Sequence, residues 1–290
     1  MNAPRAITGI DHVLVGVRDL EAARLSFARL GFTVSPRGRH IGWGTANYCV
    51  MLRKGYIELL GIVEPARFTN NLDAFLETRE GLLGVAFASD DAAAAAAALR
   101  CKGIAADGPK GLKRKLELPG GEVEPAFELV HLPAEATPGV SAFICQHLTP
   151  GLVWQHAWLD HANGAGALVS ATGVVDDPGA VALAYGALFG ADAVWAERGV
   201  VEADTGQGRL RFTTPEGLRR LYPGVAGLPR HPAPWLAGLR LAVADLDGTA
   251  ACLEAAGVAF VRDADILLRL APDQACGVVL EFAVGNTKSR

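Results

Sequence analysis

The sequence predicts an α+β fold of four βαβββ modules paired into two domains, and three observations carry that prediction. A strand–Asp–helix–Gly pattern recurs four times, its Asp-to-Gly spacing is nearly constant, and apolar strand-like segments follow the helix. The copies are Val13–Phe32, Leu83–Ile104, Ala171–Ala191 and Leu239–Phe260. Their aspartates are Asp19, Asp90, Asp177 and Asp245, and their glycines Gly31, Gly103, Gly190 and Gly257, giving spacings of 12, 13, 13 and 12 residues. Four matched copies mark a true repeat.

Each element has a local reason. Aspartate at an N-cap accepts the free N–H groups of the first turn and suits the positive end of the helix. Glycine at the other end adopts the left-handed conformation that stops it. In the first unit the strand-like segments are Phe32–Ser35, Trp43–Leu52 and Tyr56–Ile62, the last two joined by the turn Lys54-Gly55. One helix then covers one face of a small four-stranded sheet, which cannot close alone and so pairs with a second. The expected division is 8–150, a linker at 151–166, and 167–285.

Composition excludes several classes. The chain has 290 residues, half of them hydrophobic, with 27 Lys and Arg against 31 Asp and Glu. A net charge of −4 offers no basic surplus for nucleic acid. The longest apolar run, Ala92–Leu99, falls far short of the roughly 20 residues a membrane helix needs. Met1 to Ile7 lacks an apolar core, so no signal peptide is expected. Five scattered cysteines without a CxxC pair point to free thiols in a reducing cytoplasm. There is no phosphate loop and no GxSxG elbow, so no nucleotide cofactor and no serine esterase chemistry are expected. The basic run Lys110–Lys115 reads as a solvated edge strand.

A tandem βαβββ repeat resembles the vicinal oxygen chelate superfamily, which includes glyoxalase I, fosfomycin-resistance proteins and extradiol dioxygenases. The first-module likeness is carried by Ile10-Asp11-His12-Val13 leading into Val17-Arg18-Asp19-Leu20, and by Gly55-Tyr56-Ile57-Glu58-Leu59. The glyoxalase-like group within it is a closer match. Gly38-Arg39-His40, Gly42 to Tyr48, Cys145-Gln146-His147 and His161 to Ala165 carry that match. The resemblance covers residues 8 to about 170, and the remainder only through the repeat.

The resemblance implies a glyoxalase/bleomycin-resistance-like fold and a divalent metal (Zn, Mn, Fe or Ni) in the cup between paired modules. Its ligands would come from first and last strands. His12, seven residues before Asp19, stands at the first-strand position and Glu58 at the fourth. The second module offers only Leu83 at the first-strand position; its last strand, Ala142–His147, offers Gln146 or His147, and Phe127–His131 offers Glu128. A metal set of His12, Glu58 and His147 is one expectation. His40 and Glu58 would act in catalysis, His40 as the base because imidazole titrates near neutrality. Trp43, Asn47, Gln146, His161 and Asn163 would bind substrate.

In the second pair the matching positions are Ser170 and Gly238; only Glu281 stands where a fourth-strand carboxylate would, and His231 is the sole histidine. That pair reads as scaffold or interface. The expected partner is a small molecule with vicinal oxygens, isomerised or cleaved through an enediolate. Ring-opening dioxygenation and non-catalytic binding stand as alternatives, and the C-terminal pair is a candidate homodimer surface.

Overall fold

A computed structural model of the chain describes residues 6–264 and 266–285. The first half forms strands β1 (Gly9–Gly16), β2 (Gly38–His40), β3 (Thr45–Met51), β4 (Tyr56–Ile62), β5 (Gly81–Ala88), β6 (Asp107–Leu118), β7 (Gly121–Val123), β8 (Ala126–His131) and β9 (Ala142–His147). They run in the order β2-β3-β4-β1-β5-β9-β8-β6-β7, and an added pairing of β2 with β6 closes this sheet into a barrel. The second half forms β10 (Ala165–Val174), β11 (Val194–Glu197), β12 (Val200–Asp204), β13 (Arg209–Thr213), β14 (Trp235–Val243), β15 (Val261–Asp263), β16 (Leu267–Leu270) and β17 (Val279–Val284). Their order is β11-β12-β13-β10-β14-β17-β16-β15.

Every module repeats one arrangement. Its first strand lies parallel to its last, as β1 does to β4 and β10 to β13. The first strands of consecutive modules pair antiparallel, β1 with β5 and β10 with β14. The modules therefore pair in sequence order within one chain.

The repeat helices start and stop as the pattern requires. Asp19 accepts from Ala22 N, Asp177 from Gly179 and Ala180 N, and Asp245 from Asp247 and Gly248 N. In the second module the cap is Asp91, which accepts from Ala94 N, and not the expected Asp90. Gly31, Gly103, Gly190 and Gly257 all have positive φ.

Two local expectations are corrected. Phe32–Ser35 is not a strand: Phe32 turns into the core against Phe27 and Phe282, and pairing begins at Gly38. The intervening Pro36 has no N–H to offer a ladder. Lys110–Lys115 is an edge only in part: β6 pairs with β8 and β7 on one side, and with β2 on the other from Arg114 to Leu116.

One hydrophobic core runs between sheets and helices of both halves, from Val13 and Phe87 to Leu239 and Phe282. Alternation along the strands sends Val13, Val15, Ile57 and Leu59 into that core and His12, Leu14, Glu58 and Leu60 into the barrel. All five cysteines are free thiols. No helix among the described residues is long and apolar enough to cross a membrane.

Two glycines separate conformational strain from packing. Gly31 and Gly103 have φ of +88° and +81°. A Cβ at Gly31 would lie 2.6 Å from Cys252 Sγ in the other half, whereas one at Gly103 meets nothing within 4 Å. We expect Gly103→Ala to cost about 1 kcal/mol from left-handed strain alone. Gly31→Ala should cost about 1–3 kcal/mol more through overpacking. Equilibrium unfolding in urea checks this, and equal costs would mean that the two halves do not constrain each other there.

Candidate functional site

The barrel encloses a cavity of about 680 Å³. Its polar end is built on β1 to β4 and β6, and it extends toward Pro234–Leu236 of the second half. The cluster starts at a β-bulge: Ile10 pairs with Phe87 and His12 with Ala86, so Asp11 has no partner across the ladder. A bulge re-aims side chains that would otherwise alternate, and here it brings Asp11 and His12 together. Asp11 Oδ2 lies 2.6 Å from His12 Nδ1 and 3.0 Å from His147 Nε2. Burial pushes the Asp11 carboxyl up, but the hydrogen bonds and charges of the two histidines outweigh it and hold the pKa at about 2.

An ionised carboxylate only accepts, so both histidine nitrogens facing Asp11 carry hydrogen. Tyr56 stacks on the His12 ring at 4.3 Å and Phe143 meets it edge-on. In its neutral form His12 therefore points an Nε2 lone pair at Glu58 Oε2, 3.4 Å away. His40 Nε2 stands 3.9 Å from Glu58 Oε1, with its Nδ1 2.9 Å from Thr45 Oγ1. Burial keeps His40 below the ordinary histidine pKa against the pull of Glu58, so its imidazole is neutral at neutral pH.

Glu58 is 6% exposed. Burial would raise its pKa, but His12, His40, the Asn47 amide and Arg114 bring it below the usual carboxylate value. Asn47 Nδ2 donates to Glu58 Oε1, and Arg114 Nη1 donates to Asn47 Oδ1 at 2.9 Å. Two hydrogen bonds in series thus aim the carboxylate.

The sequence-predicted residues divide into two groups. His12, His40, Trp43, Asn47 and Glu58 all line the cavity, with Trp43 between His40 and Phe68 at its rim. Gln146, His147, His161 and Asn163 do not. Gln146 caps the helix Ala92–Cys101, accepting from Ala92 N and donating to Asp90 O. His147 is caged by Trp154 and Phe127 behind Asp11, so the expected set of His12, Glu58 and His147 does not converge. His161 pins Thr33 N and Met51 O, and Asn163 bonds Leu30 O and Ala165 N, so both hold the linker against the first module.

Sequence reasoning missed Asp11 and Arg114. Arg114 is 4% exposed although it sits in a lysine-rich run. The available signal was the two-residue period of Leu112, Arg114 and Leu116.

Among the described residues, one group of three donors converges closely enough for a cation. Asp11, His12 and Cys145 offer ligand atoms within 4.8 Å of one another. There, however, His12 Nδ1 is committed to Asp11, and burial pushes the Cys145 thiol well above its ordinary value. The Nε2 atoms of His12 and His40 face Glu58 at 3.4 and 3.9 Å, although these three ligand atoms do not all lie within 4.8 Å of one another and would have to close up around an ion.

Residues 10–189 match the model of the glyoxalase-like domain. The chain belongs to the glyoxalase-like domain family. Its fold is that of the vicinal oxygen chelate superfamily. A hypothetical protein from Staphylococcus aureus is similar at 12% identity and a TM-score of 0.67, over 96% of this chain and 99% of that one. A xylose isomerase-like TIM barrel/4-hydroxyphenylpyruvate dioxygenase fusion protein is similar at 16% identity and a TM-score of 0.58, over 99% of this chain and 50% of that one. A mutant of 4-hydroxymandelate synthase from Streptomyces coelicolor reaches 14% identity and a TM-score of 0.58, over 97% of this chain and 93% of that one. These likenesses are ones of fold. No curated protein matches this glyoxalase-like chain by sequence.

The aiming chain in this glyoxalase-like barrel is open to test. Arg114→Met leaves Asn47 Oδ1 buried without its donor and should cost about 1–3 kcal/mol. Lys115→Met, which removes an exposed ion pair to Glu122, should cost about 0.5 kcal/mol or less. Urea unfolding of both variants decides; equal costs would remove Arg114 from the cluster.

Proposed function

We propose that this chain is a divalent-metal-dependent enzyme that acts, in its N-terminal barrel, on a small substrate with vicinal oxygens. One observation carries the reading: at the floor of the cavity His12 Nε2 and His40 Nε2 face the two oxygens of buried Glu58 at 3.4 and 3.9 Å. Two imidazoles and one carboxylate suit iron and the other divalent first-row metals, and the pattern with open positions is that of non-haem iron oxygenases. His12, His40 and Glu58 would hold the ion. When bound, it supplies Lewis acidity toward adjacent substrate oxygens.

The chain's own residues prepare that chemistry. Asp11 fixes the tautomer and tilt of His12, as outer carboxylates do for ligating histidines. Asn47 and Arg114 hold Glu58 in one rotamer. Leu14, Leu60 and Phe127 wall the cavity with apolar surface, which excludes water from the reacting end. The similarity of fold to a 4-hydroxyphenylpyruvate dioxygenase fusion protein supports ring or side-chain oxygenation as the reaction class. The neutral state of His40 favours a second reading, enediolate isomerisation with His40 Nε2 as base.

Metal loading tests the proposal. The full chain, stripped and reloaded in turn with Fe(II), Mn(II), Zn(II) and Ni(II), should retain about one equivalent by elemental analysis. His12→Ala and Glu58→Gln should lose it. His147→Ala should keep the stoichiometry with affinity weakened about 10- to 100-fold, because it acts through Asp11. Oxygen uptake with catechols then separates oxygenation from isomerisation. A wild type that retains no ion under any loading would leave a small-molecule binding protein in place of an enzyme.

A further inference from the structure

The cavity has a second polar feature, remote from Glu58. Arg79 lines it just before β5. Gly81 pairs with Gly16 and Ala86 with His12, so Gly81 lies roughly 15 Å along the sheet from the histidine cluster at about 3.3 Å per residue, and Arg79 starts two residues beyond it. The space between is walled by Leu14, Leu60, Leu72 and Phe75.

Arg79 is half-buried and its charge is uncompensated. It makes no ion pair among the described residues: its guanidinium lies 4.4 Å over the Phe75 ring, and Nη2 donates to Leu82 O at 3.1 Å. The adjacent Glu80 is turned away and accepts from the backbone N–H of Arg18. His231, the titratable group facing it from the second half, is kept below its ordinary pKa by burial and by Arg79 itself, so it brings no negative charge. Glu58 is the only acid among the described residues that line the cavity, and it lies at the other end. Burial alone brings the Arg79 pKa down to about 10. A desolvated guanidinium without a carboxylate is costly, and its fork matches a planar carboxylate in two parallel hydrogen bonds.

We propose that Arg79 recognises a carboxylate at the end of the substrate remote from its vicinal oxygens. The substrate class is then an elongated amphiphile: vicinal oxygens at Glu58, an apolar body of roughly 10 Å against Leu14 and Phe75, and a terminal anion at Arg79. This assignment rests on the reading of the Glu58 cluster as the reacting end.

Octanoate and 1-octanol, equal in length and lacking vicinal oxygens, are the probes. Their binding to the full chain is measured by isothermal titration calorimetry, with the protein metal-free and again loaded with Mn(II). The expected result is octanoate binding about tenfold or more tighter than 1-octanol, a difference typical of one charged hydrogen-bonded contact. Arg79→Gln should bring the two within about twofold, with 1-octanol binding and the circular dichroism melt unchanged. Arg79→Lys, which keeps charge but not the fork, should lose at least about threefold for octanoate alone, and it decides the matter if Arg79→Gln does not fold. No preference in the wild type, or a preference undiminished in both variants, overturns the proposal. A preference that arises only with Mn(II) also overturns it, by placing the carboxylate on the ion, while supporting the metal reading. An Arg79-dependent preference in a chain that retains no metal upholds the anion site while the metal reading falls.

Discussion

Glu58 is the point on which the barrel turns. A buried carboxylate without partners would cost several kcal/mol, so its position requires partners from several strands at once. His12 comes from β1, His40 from β2, Asn47 from β3 and Arg114 from β6. The first three belong to one module and the arginine to the next. His40 and Arg114 are direct partners across the β2–β6 seam that closes the barrel. Closure and charge balance thus depend on each other: without the seam Arg114 has no route to Asn47, and without Arg114 the seam faces a buried acceptor lacking its donor.

The second half repeats the architecture with different chemistry. Glu281 is fully buried on β17, where the repeat sets an acid, but its neighbours are guanidinium groups. Arg240 Nε and Arg269 Nε donate to it at 2.9 and 3.0 Å, and Arg211 Nη1 lies 4.0 Å away. Guanidinium groups stay protonated and cannot ligate a metal. They fill this cup with fixed charge where the first cup has histidines. What the second half does contribute is a wall. Phe282 stacks on Phe32 and Phe189 meets Phe87, and that docking carries Trp235 to the far end of the first cavity.

How far the sequence could be read follows from how local each feature is. Helix caps are short-range, so the aspartates and glycines of the repeat announced four modules, and the strand pairings follow from module order. The one slip there, Asp90 for Asp91, arises because adjacent aspartates satisfy the pattern equally. His12, Asn47 and Glu58 were legible because each sits at a definite place on a first-module strand, and His40 through the resemblance carried by Gly38-Arg39-His40. Arg114 was not, because its run of cations resembles a solvated edge until the β2–β6 pairing buries it. His147 failed for a related reason. Its strand was correct, but the bulge at Asp11 inserts a carboxylate between it and the cavity. A bulge is one extra residue in a ladder, and nothing in the local pattern of Ile10-Asp11-His12-Val13 signals it.

The distance between His12 and Glu58 bears on what belongs between them. A proton shared by nitrogen and oxygen brings the two atoms to about 2.7–3.2 Å. The observed 3.4 Å is longer than that. Two ligands that each lie about 2.0–2.2 Å from one ion, at angles near those of tetrahedral or octahedral sites, stand about 3–3.5 Å apart. His40 Nε2, at 3.9 Å from Glu58, stands beyond both ranges. The His12–Glu58 pair cannot relax by rotating His12, because Asp11 holds its Nδ1 and Tyr56 stacks on its face. The second cup shows the contrast: there the distances from Glu281 to Arg240 and Arg269 are those of direct hydrogen bonds, and the charge is already closed. A buried carboxylate faced by imidazoles at 3.4 and 3.9 Å thus distinguishes the first cup from the second, whose carboxylate is bound directly by guanidinium groups.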